Sequence, residues 1–171
     1  RMTVRYFLDN GKPHHPLYII LLLGFLSFLT TTLMNASEAP SSYFGTILGA
    51  LIFGTLSSWI SWWITAGLIY LVAAKILGGV GTYEQTRRAY AYGVLPLVMG
   101  QLALWIPTAL ILGRQAFDDP LFLSTFQSTW ILLFTLVYIV IVIWSFVTLV
   151  NAVAEIHQFS GWRGFFSVVL P

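Results

Sequence analysis

The sequence predicts an all-α integral membrane protein, a polytopic bundle of helices that crosses the bilayer several times. Hydrophobic residues make up 58% of the chain and charged residues only 8%, whereas a soluble globular domain carries about 25% charged residues. Because so few charges cannot cover the surface of a soluble domain, lipid must cover most of the lateral surface. The seven Trp and eight Tyr agree with this class, since amphipathic rings favour the membrane–water interface.

The composition also excludes several kinds of site. No run of basic residues is longer than the Arg87–Arg88 pair, so we expect no nucleic-acid binding. The chain has no cysteine, which removes disulfides, thiol catalysis and Cys-based metal sites. His14, His15 and His157 could lie at one membrane surface, but two adjacent histidines are hard to aim at one ion. We therefore expect no metal site and no cofactor.

The first predicted span runs from Leu17 to Met34, an apolar stretch without a charge. It follows Pro13 and Pro16, and proline cannot continue a helix backwards because it lacks the backbone N–H. The stretch has no small-residue cleavage pattern at its end, so we interpret it as a retained span and not as a signal peptide.

The next apolar stretch, Tyr43–Gly78, is too long for one crossing. As a single helix it would measure roughly 54 Å at 1.5 Å per residue, whereas the hydrocarbon core is about 30 Å thick. We therefore predict a break at Gly54 or at the Ser57–Ser58 pair. A short helix that does not span, Phe44–Phe53, would precede the break, and span two, Trp59–Leu77, would follow it.

Span three is predicted over Ala89–Leu112, after a glycine-rich turn. Thr82 is the predicted N-cap of the helix that leads into it, with Gln85 three residues later as in a capping box. Pro96 and Pro107 should each kink this helix, because proline removes a backbone hydrogen bond and clashes one turn back.

Span four is predicted over Phe126–Val150, and a polar helical extension, residues 151–157, follows it. The apolar run 165–171 is too short to cross a bilayer, so we interpret it as the start of a fifth span. The whole chain, residues 1–171, would then form one transmembrane domain.

The distribution of cations predicts a cytoplasmic N-terminus, because cytoplasmic loops are enriched in Lys and Arg. On this topology the cytoplasmic side carries Arg1, Arg5, Lys12, Lys75, Arg87, Arg88 and Arg163. The opposite side carries Arg114, and the short helix would lie on that side.

Two polar clusters are candidate docking sites at the cytoplasmic surface. The first comprises Tyr83, Glu84, Arg87 and Arg88, and the second comprises Asn151, Glu155 and His157. These side chains could bind a partner protein, or they could serve only to set orientation and solvate loop ends. Glu155 could also pair with Arg87 or Arg88 across helices.

Small residues recur at every fourth or fifth position before the predicted second span, at Gly45, Gly49, Gly54 and Ser58. Such a face lets helices approach closely, either between two copies of the chain or inside the bundle. Trp59, Trp62 and Trp63 form an aromatic patch that we predict at the outer end of span two, where it would anchor the helix in the interface.

The sequence lacks the residue patterns of the known classes of intramembrane protease. No histidine lies inside a predicted span, no pair of aspartates does, and a His-Glu-x-x-His pattern is absent, so we do not expect an enzyme. An alternative to a binding role is a small permease or channel, with a path along the kinked third span lined by Pro96, Gln101 and Pro107.

The order of features over nearly the whole chain resembles the YIP (Ypt-interacting protein) family, in particular its bacterial branch. Residues 81–93, Gly-Thr-Tyr-Glu-Gln-Thr-Arg-Arg-Ala-Tyr-Ala-Tyr-Gly, followed by Pro96, are similar to the second-loop pattern of the family. Trp144, Asn151, residues 155–157 and Ser160 are similar to the segment after the fourth span. The terminal pair, residues 170–171, is similar to the opening of the fifth.

This resemblance implies a five-span protein with a cytoplasmic N-terminus and without known catalytic activity. Eukaryotic relatives associate with Rab-type GTPases, and some bacterial relatives are linked to ABC-type exporters. The expected function is therefore a non-enzymatic scaffold or accessory subunit for membrane trafficking or an ABC-type exporter, in a bacterial plasma membrane. The expected partners are the lipid bilayer, another membrane protein such as the exporter, and a second copy of the chain.

Overall fold

A computed structural model describes residues 15–34, 43–112 and 124–171, and every element within these ranges is helical. The elements are α1 (His15–Met34), α2 (residues 43–76), α3 (Tyr83–Gly93), α4 (Leu95–Leu112), α5 (Thr125–Ile156) and α6 (Gly161–Val169). Helix α2 is α-helical over Tyr43–Gly49 and Thr55–Tyr70, and π-helical over Ala50–Gly54 and Leu71–Ile76. The loop cations Arg1, Arg5, Lys12 and Arg114 of the predicted topology lie outside the described residues.

Four stretches of helix within the described residues are long and apolar enough to cross a membrane. They are His15–Thr32, Phe44–Ile76, Tyr83–Leu112 and Thr125–Ile156. The predicted fold class, an all-α bundle of an integral membrane protein, is therefore confirmed. Pro16 lies in the first turn of α1, where the missing N–H of proline costs no helical hydrogen bond.

Helices α1 and α2 approach each other closely where two glycines meet. A Cβ atom added to Gly54 would lie 2.6 Å from the carbonyl oxygen of Gly24, so neither position has room for a side chain. One turn along α2, the Ser58 hydroxyl donates a hydrogen bond of 2.9 Å to the Ile20 carbonyl. Because Gly54 faces Gly24 and Ser58 faces Ile20, the two helices run antiparallel in a fixed register.

The same register continues toward the beginning of α2. Gly49 faces the ring of Phe28, and a Cβ atom there would lie 3.3 Å from it. Gly49, Gly54 and Ser58 thus pack against α1, as the bundle-contact interpretation of the small residues requires. Gly45, the first residue of that series, is half-buried.

The predicted break in the long apolar stretch is corrected by the structure. Neither Gly54 nor the Ser57–Ser58 pair interrupts α2, and residues 44–53 do not form a separate helix, because a π-helical segment, Ala50–Gly54, carries the helix through this region. The part of α2 that extends past the beginning of α1 is its C-terminal third, and which part of α2 crosses the bilayer stays a prediction.

The start of α3 has the predicted capping box. The Gln85 N–H donates to Thr82 Oγ1 at 3.3 Å, and the Thr82 N–H donates to Gln85 Oε1 at 2.9 Å. Val94 then separates α3 from α4, two residues before Pro96, so the helix is interrupted where a kink was predicted. Pro107 lies inside α4, which continues through it, and a bend at that residue stays a prediction.

Helix α5 packs antiparallel to α3 and α4. Gly93 has no room for a side chain because a Cβ atom would lie 2.7 Å from the backbone of Leu149, and the Ser145 hydroxyl donates to the Gly93 carbonyl at 3.2 Å. Further along, Trp130 Nε1 donates to Thr108 Oγ1 at 3.1 Å. Polar hydrogen bonds of this kind hold helices together where lipid offers no hydrophobic driving force.

Helix α6 turns back beside α5. Gly164 lies against Ala154, and the rings of Phe146 and Phe165 meet edge to face with centroids 5.9 Å apart. The predicted start of a fifth span at residue 165 therefore falls inside a helix that already begins at Gly161. Whether this helix enters the bilayer stays a prediction.

Replacement of Gly24 by alanine is expected to lower the stability of the bundle. The added methyl group overlaps the Gly54 carbonyl and the Ser58 hydroxyl, and overpacking of this kind costs about 1–3 kcal/mol. The measurement is the apparent unfolding temperature of the purified protein in detergent.

Gly67→Ala is the matched control, because a Cβ atom on this α2 residue would meet only a Tyr83 ring atom, at an ordinary distance of 3.8 Å. This variant should be as stable as the parent or more stable, since alanine is favoured over glycine in a helix by about 0.5–1 kcal/mol. Equal stability of Gly24→Ala and Gly67→Ala would contradict the close contact.

Candidate partner-docking site

The structure brings both predicted polar clusters to one end of the bundle. We call it the basal end: α1 and α3 begin there, α5 ends there, and the C-terminal third of α2 and helix α6 lie beside them. The Thr86 Oγ1 and His157 Nε2 atoms are 2.9 Å apart, which joins the start of α3 to the end of α5. Both residues are fully buried, and His157 is only 1% exposed.

The hydrogen bonds of Thr86 determine the state of the His157 ring. The Thr86 hydroxyl donates its one proton to the Thr82 carbonyl at 2.9 Å, so His157 Nε2 must be the donor toward Thr86. Nδ1 is then unprotonated, and it is buried without a hydrogen-bond partner among the described residues. Burial also lowers the pKa of His157 below its usual value of 6.5, because a charged ring would lose its hydration.

The glycines of the loop before α3 make room for this histidine. A Cβ atom on Gly79 would lie 2.5 Å from His157 Nδ1, and one on Gly81 would lie 2.9 Å from Cε1. On the other side, the Phe159 ring stacks on the imidazole with a centroid distance of 5.5 Å. The glycine-rich turn is therefore a lid over His157, a role that the sequence pattern alone did not indicate.

The end of α5 has a Schellman motif. The Phe159 N–H donates to the Ala154 carbonyl at 2.8 Å, and the Gln158 N–H donates to the Glu155 carbonyl at 3.3 Å. Gln158 has a φ of 55°, in the left-handed region that this motif requires and that glycine usually supplies. This turn brings Phe159 onto His157 and directs the chain into α6.

Arg87 lies in an aromatic box at the basal end. Its guanidinium carbon is 4.2 Å from the ring centroid of Trp63, 5.0 Å from that of Trp62 and 5.9 Å from that of Tyr83. Two hydrogen bonds close the box: Trp62 Nε1 donates to the Arg87 carbonyl at 2.9 Å, and the Tyr83 hydroxyl donates to the Trp63 carbonyl at 3.2 Å. We call Arg87, Trp62, Trp63 and Tyr83 the Arg87 box.

The position of this box corrects the predicted position of the tryptophan patch. Trp62 and Trp63 lie at the basal end, next to the start of α3, and not at the opposite end of the second span. The reason is the register of α2: because residues 49–58 run beside α1, Trp62 reaches the beginning of α1, where it packs with Ile20.

The remaining predicted docking residues are more accessible. Arg88 forms an ion pair of 2.6 Å with Glu84 one turn away on α3, and their side chains are 33% and 63% exposed. Asn151 donates to the Val147 carbonyl of its own helix at 2.8 Å. Glu155 is half-buried, and its predicted pair with Arg87 or Arg88 stays a prediction. The surface available to a partner therefore centres on Glu84 and Arg88, with His157 beneath it.

No group of three or more His, Cys, Asp or Glu side chains in the described part of the chain is arranged to hold a metal ion. His14, one of the three histidines considered from the sequence, lies outside that part.

The fold and the basal end define a polytopic α-helical membrane protein whose polar side chains join helices at one end of the bundle. The model of the Yip1 domain matches residues 1–171, the whole length of the sequence. The chain therefore belongs to the Yip1 family, which confirms the resemblance identified from the second-loop pattern. Searches among curated proteins and among solved structures each found no match.

Acidification is expected to destabilise the protein through His157. Because burial lowers the pKa of His157 in the folded state, the unfolded state binds the proton more readily below pH 6.5. Stability should therefore be full above that pH and fall as the pH drops below it, by at most about 1.4 kcal/mol per pH unit. The measurement is the apparent unfolding temperature in detergent at pH 7.5, 6.5 and 5.5.

His157→Gln is the control, because it retains a hydrogen-bonding side chain and leaves His14 and His15 in place. It should be less stable than the parent at pH 7.5 but lose less stability between pH 7.5 and 5.5. The same pH dependence in both proteins would contradict the assignment to His157.

Gln158→Gly is expected to stabilise the protein. The exposed Gln158 has a left-handed backbone that costs a residue with a Cβ atom about 1 kcal/mol more than glycine. Gln158→Ala, which keeps the Cβ atom, should not show the gain. If thermal unfolding finds the glycine variant no more stable than the alanine variant, the assigned turn is wrong.

Proposed function

We propose that this protein is a non-enzymatic scaffold or accessory subunit of the YIP type, whose basal end binds a partner membrane protein. The observation that carries the proposal is that some polar groups of the basal end join helices, whereas others are exposed to solvent. The Thr86–His157 contact and the Arg87 box hold α2, α3 and α5 together, while the charges of Glu84 and Arg88 are presented outward. Such an end offers a rigid, charged surface to a partner.

The membrane placement that goes with this function follows from α1. If α1 crosses the bilayer from His15 to Met34, the stretches of the other helices beside it cross at the same depth. These are approximately residues 44–64 of α2, 90–108 of α3 and α4, and 130–150 of α5. Exposed Leu51, Phe53 and Ile60 on α2 support this placement, because apolar side chains of this size are suited to contact with lipid.

The basal end then lies at one membrane surface, and we propose that this surface is cytoplasmic. Lys75, Arg87, Arg88 and Arg163 all belong to the basal end, and cytoplasmic loops are rich in such residues. The correction to α2 does not alter the predicted topology, because α2 still crosses once and the later loops keep their sides.

The partner we propose is an ABC-type exporter, on the basis of the link between some bacterial members of the YIP family and such exporters. A second copy of the chain is the other binding partner that the test below can identify.

The permease alternative depends on a path lined by Pro96, Gln101 and Pro107, and the described contacts do not favour it. Gln101 is 0% exposed, and its Nε2 lies 3.4 Å from both Ser27 Oγ and Tyr138 Oη, which joins α1, α4 and α5. An open groove of about 430 Å³ beside the Gly24–Gly54 contact is lined by residues of α1 and α2 and by Tyr90 of α3, and none of the three residues lines it.

Photo-crosslinking in native membranes tests the docking proposal. A photoreactive phenylalanine analogue in place of Val80, an exposed residue of the basal end, should give one adduct of defined mass with another protein. The same analogue in place of Val137, exposed on the lipid-facing side of α5, should give none. Mass spectrometry then identifies the adduct as an exporter subunit, another membrane protein or a second copy.

Charge reversal at the ion pair provides the second arm of this test. Arg88→Glu should abolish the Val80 adduct, because it reverses the charge that faces the partner. The double variant Glu84→Arg, Arg88→Glu preserves an ion pair on α3 and should also lose the adduct. Undiminished adduct in both variants, or no adduct from position 80 in the parent, would contradict docking at this surface.

A further inference from the structure

Arg87 carries a positive charge that the described residues do not neutralise. The carboxylate nearest along the helix, that of Glu84, is paired with Arg88, and the guanidinium of Arg87 contacts aromatic rings. Within the described residues its Nε is buried and has no hydrogen-bond partner. Rings attract a cation by about 0.5–2 kcal/mol, but they accept no hydrogen bond from the guanidinium in its plane, so its donors still need an acceptor.

The Arg87 box leaves the end of the guanidinium available. Two tryptophan rings lie against the group. The Trp62 ring is held by its hydrogen bond to the Arg87 carbonyl, and the Tyr83 ring is held by its hydrogen bond to the Trp63 carbonyl. The terminal nitrogens form no hydrogen bond with a described residue and are not among the enclosed, unpartnered atoms. A guanidinium held in this way presents two parallel N–H donors, the geometry that matches a phosphate group.

The surroundings of the box indicate where such a phosphate comes from. Trp59, Ile60, Trp63 and Ile64 are all exposed on the same stretch of α2, which gives this flank an apolar surface suited to lipid chains. Trp62, at the inner side of the box, packs near the beginning of α1, the level at which that helix enters the bilayer. A phosphate that reaches Arg87 along this flank is therefore attached to lipid.

We propose that the Arg87 box binds the phosphate of a membrane phospholipid, with the acyl chains against Trp59 and Ile60. A lipid with a net negative headgroup, such as phosphatidylglycerol, is bound in preference to phosphatidylcholine. The reason is the uncompensated charge of Arg87, which a zwitterionic lipid satisfies less well because its own ammonium group competes for the phosphate. The proposal depends on the membrane placement given above and not on the docking of a partner.

Native mass spectrometry of the purified protein with added phosphatidylglycerol or phosphatidylcholine tests this site. The parent protein is expected to retain one phosphatidylglycerol preferentially, and Arg87→Gln is expected to reduce its affinity about tenfold or more, the scale of a charge-assisted hydrogen bond. Arg87→Lys keeps the charge without the paired donors and should be intermediate. Arg163→Gln is the matched control, because it removes an exposed arginine of the basal end outside the box and leaves the Glu84–Arg88 pair intact, and it should bind as the parent does.

A second measurement on the parent protein does not depend on the folding of any variant. Phosphatidylglycerol with a photoreactive headgroup, in nanodiscs, should label peptides containing residues 59–63 and 83–90. Inorganic phosphate at millimolar concentration should not displace the lipid. Equal retention of the two lipids, labelling elsewhere on the chain, or displacement by inorganic phosphate would each overturn the proposal. The crosslink from position 80 tests partner docking and does not require this lipid. Failure of the lipid proposal can therefore be distinguished from failure of the docking proposal.

Discussion

Between Gly24 on α1 and Gly54 on α2 there is room only for backbone, and the Ser58 hydroxyl secures this contact through the Ile20 carbonyl. The rest of the structure depends on the register that this contact fixes. It aligns the first half of α2 with α1, which leaves the C-terminal third of α2 to extend past α1, where Ile69 packs with Leu149 and Val153 of α5. It also brings Trp62 and Trp63 to the beginning of α3, where they enclose Arg87. A shift of α2 along α1 by one helical turn would move Trp62 and Trp63 away from Arg87.

At the basal end, a few buried polar side chains connect separate helices and loops. His157 is joined to Thr86 and covered by a glycine lid and by Phe159. These contacts connect the loop after α2, the start of α3 and the turn after α5. Because burying the neutral ring leaves Nδ1 without a partner in the described part of the chain, the arrangement has an energetic cost, which the surrounding packing must offset. The exposed charges of Glu84 and Arg88 lie on α3, the helix that the Thr86–His157 contact joins to α5.

The sequence was sufficient to predict the class of protein and the capping box at Thr82, whereas the bounds of the individual spans stay predictions. These features depend on local composition and local backbone chemistry. The packing of α2 could not be predicted in the same way, because length indicates only that the apolar stretch exceeds the thickness of the bilayer. The contact of Gly24 with Gly54, which fixes the register, joins residues of two different helices. Likewise, the partners of His157 and Arg87 come from other helices, so no local pattern reveals them.

The depth of two α2 residues in the bilayer tests the central claim most directly. The chain has no cysteine, so single cysteines in place of Phe53 and Leu68, both exposed on α2, can be labelled with a nitroxide in lipid vesicles. Collision with oxygen and with a water-soluble nickel complex then reports depth. The register with α1 requires position 53 near the bilayer centre and position 68 near the surface. A deep position 68 and a shallow position 53 would contradict it.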